Sequence, residues 1–176
     1  IRKYADDNGI SALVVGISGG IDSAVTSTLC AKSGLETIAV NMPIHQDSSQ
    51  HNLAKRHIEW LENGWSNVKS HLVDLTESYD SYVEGALNGL EITEISLANT
   101  KARLRMTTLY AIAGSRNGIV VGTGNKVEDF GVGFYTKYGD GGVDISPIAD
   151  LLKSEVYALA KQMSVIEDIQ NSTPND

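Results

Sequence analysis

The sequence contains little that could cross-link the chain or anchor it in a membrane. It has one cysteine, Cys30, so no disulfide can form within the chain, which favours a reducing compartment such as the cytoplasm. No apolar run approaches the roughly 20 residues of a membrane-spanning helix, and no secretory signal pattern stands at the N-terminus. We therefore expect neither a disulfide scaffold nor a membrane partner.

Basic residues are also scarce. The 14 Lys and Arg residues are outnumbered by 22 Asp and Glu residues, and the formal net charge is -8. This balance argues against broad electrostatic binding of DNA or RNA, so no nucleic-acid partner is expected. Small phosphorylated ligands remain possible, because a few lysines and backbone amides can reverse the field locally. The 4 histidines form no compact metal-ligand motif.

Short apolar runs alternate with helical patterns along the chain. A fully apolar run, typical of a strand buried on both faces, lies at residues 12–17, and further strands are predicted at residues 37–40, 68–73 and 118–121. Helical patterns lie between and after them, at residues 22–32, 48–61, 76–87, 97–113 and 154–163. The alternation predicts an α/β fold: a doubly wound, Rossmann-like parallel sheet with helices on both faces.

The length suits a single domain with a full core. The chain starts at Ile1 rather than at Met, and helix-like sequence follows at once. We therefore treat residues 1–176 as one domain that is truncated at one or both ends.

A glycine-rich loop stands between the first predicted strand and the first long helix. It comprises Gly16, Ile17, Ser18, Gly19, Gly20, Ile21, Asp22 and Ser23. Unpaired N–H groups and the dipole at a helix start attract phosphate, and glycines allow the backbone to approach it closely. The carboxylate of Asp22 would repel phosphate unless Mg²⁺ lay between them, and Mg²⁺ commonly binds one or two carboxylates together with substrate phosphates. The loop is neither a Walker A loop nor a dinucleotide fingerprint, because the spacing and the lysine are missing.

Two further stretches accompany this loop. Residues 99–106 read NTKARLRM, and residues 122–144 read GTGNKVEDFGVGFYTKYGDGGVD. Together with the SGGIDS loop they resemble the NAD synthetases of the N-type ATP pyrophosphatase superfamily, over nearly the whole chain. The resemblance implies an adenine nucleotide alpha hydrolase-like fold and a carbon–nitrogen ligase. In that reaction ATP adenylates the nicotinate carboxylate of deamido-NAD, pyrophosphate leaves, and ammonia displaces AMP to form NAD.

The resemblance also assigns roles to individual residues. Asp22 and Glu128 would hold Mg²⁺, and the ATP co-substrate would be bound by residues 16–23 together with Thr123 and Lys153. A lysine at a predicted helix start opposes the helix dipole, which itself hints at a phosphate partner for Lys153.

The second substrate has its own matched positions. Deamido-NAD would be bound by Arg103, Lys137 and Asp144, and Asp144 joins Asp22 and Lys153 as a predicted catalytic group. The family further implies a homodimer with substrate sites between subunits, which places the helix predicted at residues 97–113 at or near the interface.

The sequence departs from the family pattern after the second predicted strand. Residues 41–44 read NMPI where many members carry Arg-Leu-Pro-Tyr, and Gln46 and Asp47 stand near the position of an adenine-binding Gln. The run Asp-His-Ala-Ala-Glu of the family is GNKVE here, with Glu128 retained.

Two alternative functions remain open at this point. Another ATP pyrophosphatase, such as a GMP synthetase or a tRNA-modifying ligase, shares the loop but not the segment at residues 137–144. A non-catalytic nucleotide-binding module is the second alternative, and the retention of both candidate Mg²⁺ ligands argues against it. Glutamine-dependent relatives carry an upstream nitrilase-like domain with a catalytic cysteine, and since this sequence has none, ammonia is favoured as the nitrogen donor.

Overall fold

The centre of the computed structural model, which describes residues 1–172, is a parallel sheet of four strands. The strands are β1 (Ala12–Gly16), β2 (Glu36–Asn41), β3 (Val68–Leu72) and β4 (Gly118–Val120). All three pairings are parallel, and the spatial order is β3-β2-β1-β4. The predicted parallel sheet is therefore confirmed.

Helices connect and cover the strands. They are α1 (Arg2–Asp7), α2 (Ile21–Lys32), α3 (Ser48–Gly64), α4 (Thr76–Ser81), α5 (Glu94–Gly114), α6 (Lys153–Gln162) and α7 (Glu167–Gln170). Two π-helical segments, Tyr82–Ala86 and Val127–Val132, follow α4 and β4. Within residues 1–172, no helix is long and apolar enough to cross a membrane.

The sheet is covered on both faces, because successive residues of a strand point to opposite sides. Leu13 and Val15 of β1 belong to a core cluster with residues of α2 and α3. Val14 lies in a second cluster, with residues of α4 and α5. A third cluster packs α2 against α6 and α7. The predicted doubly wound, Rossmann-like arrangement is thus confirmed.

The strand order reverses at β1. The chain proceeds from β1 to β2 and β3 on one side, and then returns to place β4 on the other side of β1. In doubly wound sheets, ligands bind in the crevice that such a reversal opens at the carboxyl ends of the strands. The glycine-rich loop after β1 and the segment after β4 therefore start side by side.

A histidine is fully buried between α2 and α3. Its Nε2 lies 2.9 Å from the hydroxyl oxygen of Ser27, and the ring of His57 stacks on Trp60. Its Nδ1 has no hydrogen-bond partner within residues 1–172. Burial lowers the pKa of His57 to about 4, because a protonated ring would carry its charge and a second N–H into an apolar layer.

We expect stability to fall between about pH 6.5 and about pH 4. The pKa of His57 is lower in the folded state than its ordinary value of 6.5, so the unfolded chain binds more protons in this range. The contribution is complete above pH 6.5, and roughly 3 kcal/mol of it is lost by pH 4. Urea unfolding over a pH series tests this in wild type, in His57→Gln, and in His71→Gln, which alters an exposed residue of β3. Identical pH slopes in wild type and His57→Gln would contradict the assignment.

Candidate active site

The glycine-rich loop ends in the first turn of α2. Gly20 is the N-cap of this helix, and no side chain caps it, so N–H groups of the first turn are available to an anion. Asp22 lies in that turn. Gly19 has φ +93°, and a Cβ atom there would come within 2.7 Å of the carbonyl oxygen of Gln50 on α3. Only glycine fits this position, because it must both adopt a left-handed conformation and lie against a helix backbone.

Hydroxyl groups stabilise the loop from within. The Ser18 hydroxyl accepts a hydrogen bond from the Gly20 N–H at 3.1 Å. The Ser23 hydroxyl accepts from the Ser18 N–H at 3.2 Å and donates to the Gly20 carbonyl at 3.0 Å. The two serines, which belong to the loop predicted to bind ATP, therefore also determine the loop conformation.

Two amide side chains hold the loop from outside. Asn41, at the end of β2, donates to the Ile17 carbonyl at 2.9 Å, and Gln46 donates to the Ser18 carbonyl at 3.0 Å. Both lie in the region where the sequence departs from the family pattern. These bonds engage carbonyl oxygens that would otherwise repel a phosphate group. The motifs liken Gln46 to an adenine contact and predict no role for Asn41, because bonds to a distant loop leave no local pattern.

Two carboxylates converge on one cation. Nζ of Lys153, the first residue of α6, donates to Asp22 Oδ2 at 2.5 Å and to Glu128 Oε1 at 2.9 Å. Asp22 comes from α2 and Glu128 from the π-helical segment after β4. Burial disfavours the charge on Lys153, but the hydrogen bonds and charges of both carboxylates outweigh it and raise the pKa of its ammonium group. The structure thus brings together Asp22, Glu128 and Lys153, three of the residues predicted to act on ATP and Mg²⁺.

The two carboxylates that bind this ammonium group are also the candidate ligands for a metal ion. Within residues 1–172, no group of three or more His, Cys, Asp and Glu side chains could hold a metal ion. The pair formed by Asp22 and Glu128 suits Mg²⁺ all the same, because Mg²⁺ takes one or two carboxylates and completes its shell with waters and substrate phosphates. The pair also explains a lysine at the start of α6, since two carboxylates offset its unfavourable interaction with the helix dipole.

The surroundings of the site are strongly acidic. The pKa of Asp129 is raised by burial and then by the charges of Asp140, Glu128 and Asp22. A region with this field attracts cations.

Arg103 and Lys137, two of the residues predicted to bind deamido-NAD, are joined by a hydrogen bond. Nε of Arg103 on α5 donates to the Lys137 carbonyl at 3.1 Å. The Lys137 ammonium group lies 5.1 Å from the centre of the Tyr138 ring, so a cation adjoins an aromatic face. This arrangement can receive an anionic ligand that carries a flat ring.

The other predicted residues have mixed surroundings. Asp144 is bonded to the protein at both oxygens: Oδ1 accepts from the Tyr110 hydroxyl at 3.0 Å, and Oδ2 accepts from the Val120 N–H at 2.7 Å. Burial and the Asp144 carboxylate raise the pKa of Tyr110 to about 12, so it stays protonated and donates. Thr123 is half-buried on the segment that leaves β4. The contacts of Asp144 tie α5 to β4, and its predicted role toward substrate stays a prediction.

The protein has the fold and site of an α/β nucleotide-binding enzyme. An anion-binding loop lies where the strand order of the parallel sheet reverses, and beside it two carboxylates share the Lys153 ammonium group. The model of the NAD synthase family matches residues 1–175, and the chain belongs to this family. The resemblance identified from the motifs is confirmed, and it excludes membership of the other ATP pyrophosphatase families considered above.

Individual relatives agree with this assignment. The chain is 41% identical over 185 residues to the NH(3)-dependent NAD(+) synthetase of Alkaliphilus metalliredigens, and the match covers 99% of this chain and 72% of that protein. The structure of NMN synthetase from Francisella tularensis has a TM-score of 0.90 and 33% identity, and the match covers 99% of this chain and 70% of that one. NH3-dependent NAD synthetase from Campylobacter jejuni, in complex with the nitrate ion, has a TM-score of 0.86 and 31% identity, with 99% and 73% covered.

Proposed function

We propose that the protein is an ammonia-dependent NAD synthetase, which amidates deamido-NAD to NAD at the expense of ATP. The observation that carries this proposal is the convergence of the glycine-rich loop, two carboxylates and Lys153 at the point where the strand order reverses. The family assignment and the relatives named above support the same reaction. The products besides NAD are AMP and pyrophosphate.

The reaction poses an electrostatic problem, because the nicotinate carboxylate must approach the α-phosphorus of a polyanion. The N–H groups at the start of α2 and the Lys153 ammonium group supply positive potential at the phosphates. Asp22 and Glu128 would hold Mg²⁺, which neutralises negative charge on the departing pyrophosphate. Lys153 would donate to a phosphate oxygen of bound ATP, and Thr123, which lies on the segment after β4, would contact the same nucleotide.

The second substrate is placed by Arg103 and Lys137. Their cationic groups suit its pyrophosphate bridge or its nicotinate carboxylate, and the ring of Tyr138 offers a surface for stacking. Asp144, held by α5 and β4, would act at the nicotinate end. Adenylation converts a poor leaving group into AMP, which makes attack by neutral ammonia feasible.

Assembly and location belong to the same proposal. We place a homodimer interface at α5, which carries Arg103 and exposes Ile95, 72% of whose surface is accessible. Light scattering that detects only monomers of the full-length protein would count against the dimer. The single cysteine, buried in the core, suits the reducing cytoplasm.

The proposed reaction is tested by mass spectrometry of the products. Deamido-NAD, Mg-ATP and ammonium should yield NAD, with AMP and pyrophosphate in equal amounts. Glutamine in place of ammonium should yield little product. Pyrophosphate release that needs no deamido-NAD, or no NAD at all, would refute the proposal.

A second candidate is the amidation of the mononucleotide to give NMN. Its support is the TM-score of 0.90 with the NMN synthetase of Francisella tularensis. Both reactions act on a nicotinate carboxylate, and the two substrates differ only in the AMP half. Values of kcat/KM for nicotinate mononucleotide and for deamido-NAD, measured on one preparation, decide between them.

Replacing Lys137 with Ala should raise the KM for deamido-NAD about tenfold, with a smaller change in kcat. The lost interaction is one hydrogen bond to a charged group, worth roughly 1.5 kcal/mol, and it acts on substrate and transition state alike. Steady-state kinetics at saturating ATP measure the effect. Lys69→Ala is the control, because Lys69 pairs with Glu36 on exposed parts of β2 and β3. A fall in kcat with an unchanged KM would contradict the assignment.

A further inference from the structure

Asn125 uses both ends of its side chain to join the two carboxylate-bearing segments. It follows β4 and is fully buried. Its Nδ2 donates to Asp22 Oδ1 at 3.1 Å. Its Oδ1 accepts from the backbone N–H groups of Val127 and Glu128, at 3.0 and 3.2 Å. One buried amide therefore links a carboxylate on α2 to the backbone of the residue that carries the second carboxylate.

These contacts determine which oxygen of Asp22 is available. Asn125 occupies Oδ1, so that Oδ2 is the oxygen directed at the Lys153 ammonium group. At its other end Asn125 holds the start of the π-helical segment, from which Glu128 reaches the same ammonium group. Besides Lys153, which binds both carboxylates directly, Asn125 is thus a second side chain that joins the two segments.

Few side chains can replace this one. Aspartate could accept from both backbone N–H groups, but it would set a second carboxylate against Asp22 in place of a donor. Serine could still accept from the backbone N–H groups, but it is too short to reach Asp22. Alanine would remove the donor to Asp22 Oδ1 and the acceptor for the Val127 and Glu128 N–H groups. A neutral histidine can donate with one nitrogen and accept with the other, as the amide does with its nitrogen and oxygen.

We propose that Asn125 is a positioning residue, which fixes Asp22 and Glu128 in the geometry that binds one divalent cation. This inference rests on the proposed function for the identity of the two ligands. The side-chain hydrogen bonds of Asn125 go to Asp22, Val127 and Glu128, so we infer that it acts through the two ligands and not on the cation itself. Its loss should weaken metal binding and leave the metal-free affinity for nucleotide unchanged.

The test measures Mn²⁺ binding by electron paramagnetic resonance, with α,β-methylene ATP bound to the full chain. Asn125→Ser and Asn125→Ala should each raise the Kd for Mn²⁺ about tenfold, which corresponds to about 1.4 kcal/mol. The Mg²⁺ concentration for half-maximal NAD formation should rise by a similar factor. Asn125→His should keep the Kd within about threefold of wild type, because it retains a donor and an acceptor.

The control is another amide that bridges two segments. Asn67 is half-buried, and its Nδ2 donates to the Ala31 and Leu35 carbonyls at 3.0 and 2.7 Å, away from the site. Asn67→Ser should lower the melting temperature and leave Mn²⁺ binding unchanged.

The outcomes separate the inference from the proposed function. Wild-type affinity for Mn²⁺ in a folded Asn125→Ser or Asn125→Ala variant would overturn the inference, as would an equal loss in Asn67→Ser. If removal of the amide prevents folding, Asn125→His decides: retained affinity supports the inference, and a tenfold loss overturns it. Absence of NAD formation by the wild type would refute the proposed function alone, because the Mn²⁺ comparison does not depend on turnover.

Discussion

Asp22→Asn should lower the rate of NAD formation by at least about 100-fold, with a much smaller change in the apparent affinity for ATP. The substitution keeps the shape of the side chain and removes one of two charges that would hold Mg²⁺. That charge matters most while negative charge collects on the departing pyrophosphate, so the loss falls on kcat. Glu128→Gln should act in the same direction for the same reason.

Steady-state NAD formation across a range of Mg²⁺ concentrations measures this effect. Glu36→Gln is the matched control, since Glu36 also pairs with a lysine but lies away from the site. Near-normal turnover of Glu128→Gln at low Mg²⁺ would refute the metal assignment.

The position of Lys153 determines how Asp22→Asn and Glu128→Gln should affect stability. Two carboxylates facing each other without metal would repel, and removing one would then raise the melting temperature. Here Lys153 lies between them and neutralises much of that repulsion. The pairs are partly exposed, with 17% of the Asp22 side chain and 42% of the Glu128 side chain accessible, so each contributes no more than about 1 kcal/mol. We therefore expect the melting temperature of each metal-free variant to equal that of the wild type or to be slightly lower.

Gly19→Ala should abolish ATP binding and with it pyrophosphate release. The new Cβ would meet the Gln50 carbonyl oxygen at 2.7 Å and the Ala54 nitrogen at 3.2 Å, both of which are backbone atoms of α3. The loop must move away from α3, and this displaces the N–H groups that face the phosphates. Left-handed geometry at φ +93° adds a cost of roughly 1–2 kcal/mol.

Gly9→Ala separates the effect of the contact with α3 from the effect of the left-handed conformation. Gly9 also has a positive φ, +66°, but nothing lies within 4 Å of a Cβ placed there. This variant should lose roughly 1–2 kcal/mol of stability and keep full activity. Isothermal calorimetry with ATP and thermal melts measure both effects. Normal ATP binding by Gly19→Ala would show that the loop tolerates the shift and is not shaped by its contact with α3.

Local patterns were sufficient to identify most elements of the fold. The apolar run at residues 12–17 indicated β1, because a strand covered on both faces needs apolar side chains in both directions. Boundaries were less accurate where hydrogen bonds of single side chains decide them. The helix predicted at residues 97–113 begins at Glu94, because the Thr93 hydroxyl accepts from the Ser96 N–H. The helix predicted at residues 76–87 changes to π-helical geometry at Tyr82.

The glycine-rich loop could also be identified from the sequence, because glycine spacing before a helix has a local physical meaning. The other site residues were assigned by the resemblance of their motifs to the family. Their arrangement could not be identified from the sequence. Asn125 and Lys153 lie 103 and 131 residues from Asp22 in the chain. Asn125 meets it because β4 pairs with β1, and Lys153 meets it because α6 packs on α2. Strand order results from the packing of the whole core, so no local pattern records it. The sequence therefore identified the carboxylates and the lysine, whereas the tertiary structure decided that they converge on one cation and that Asn125 holds them there.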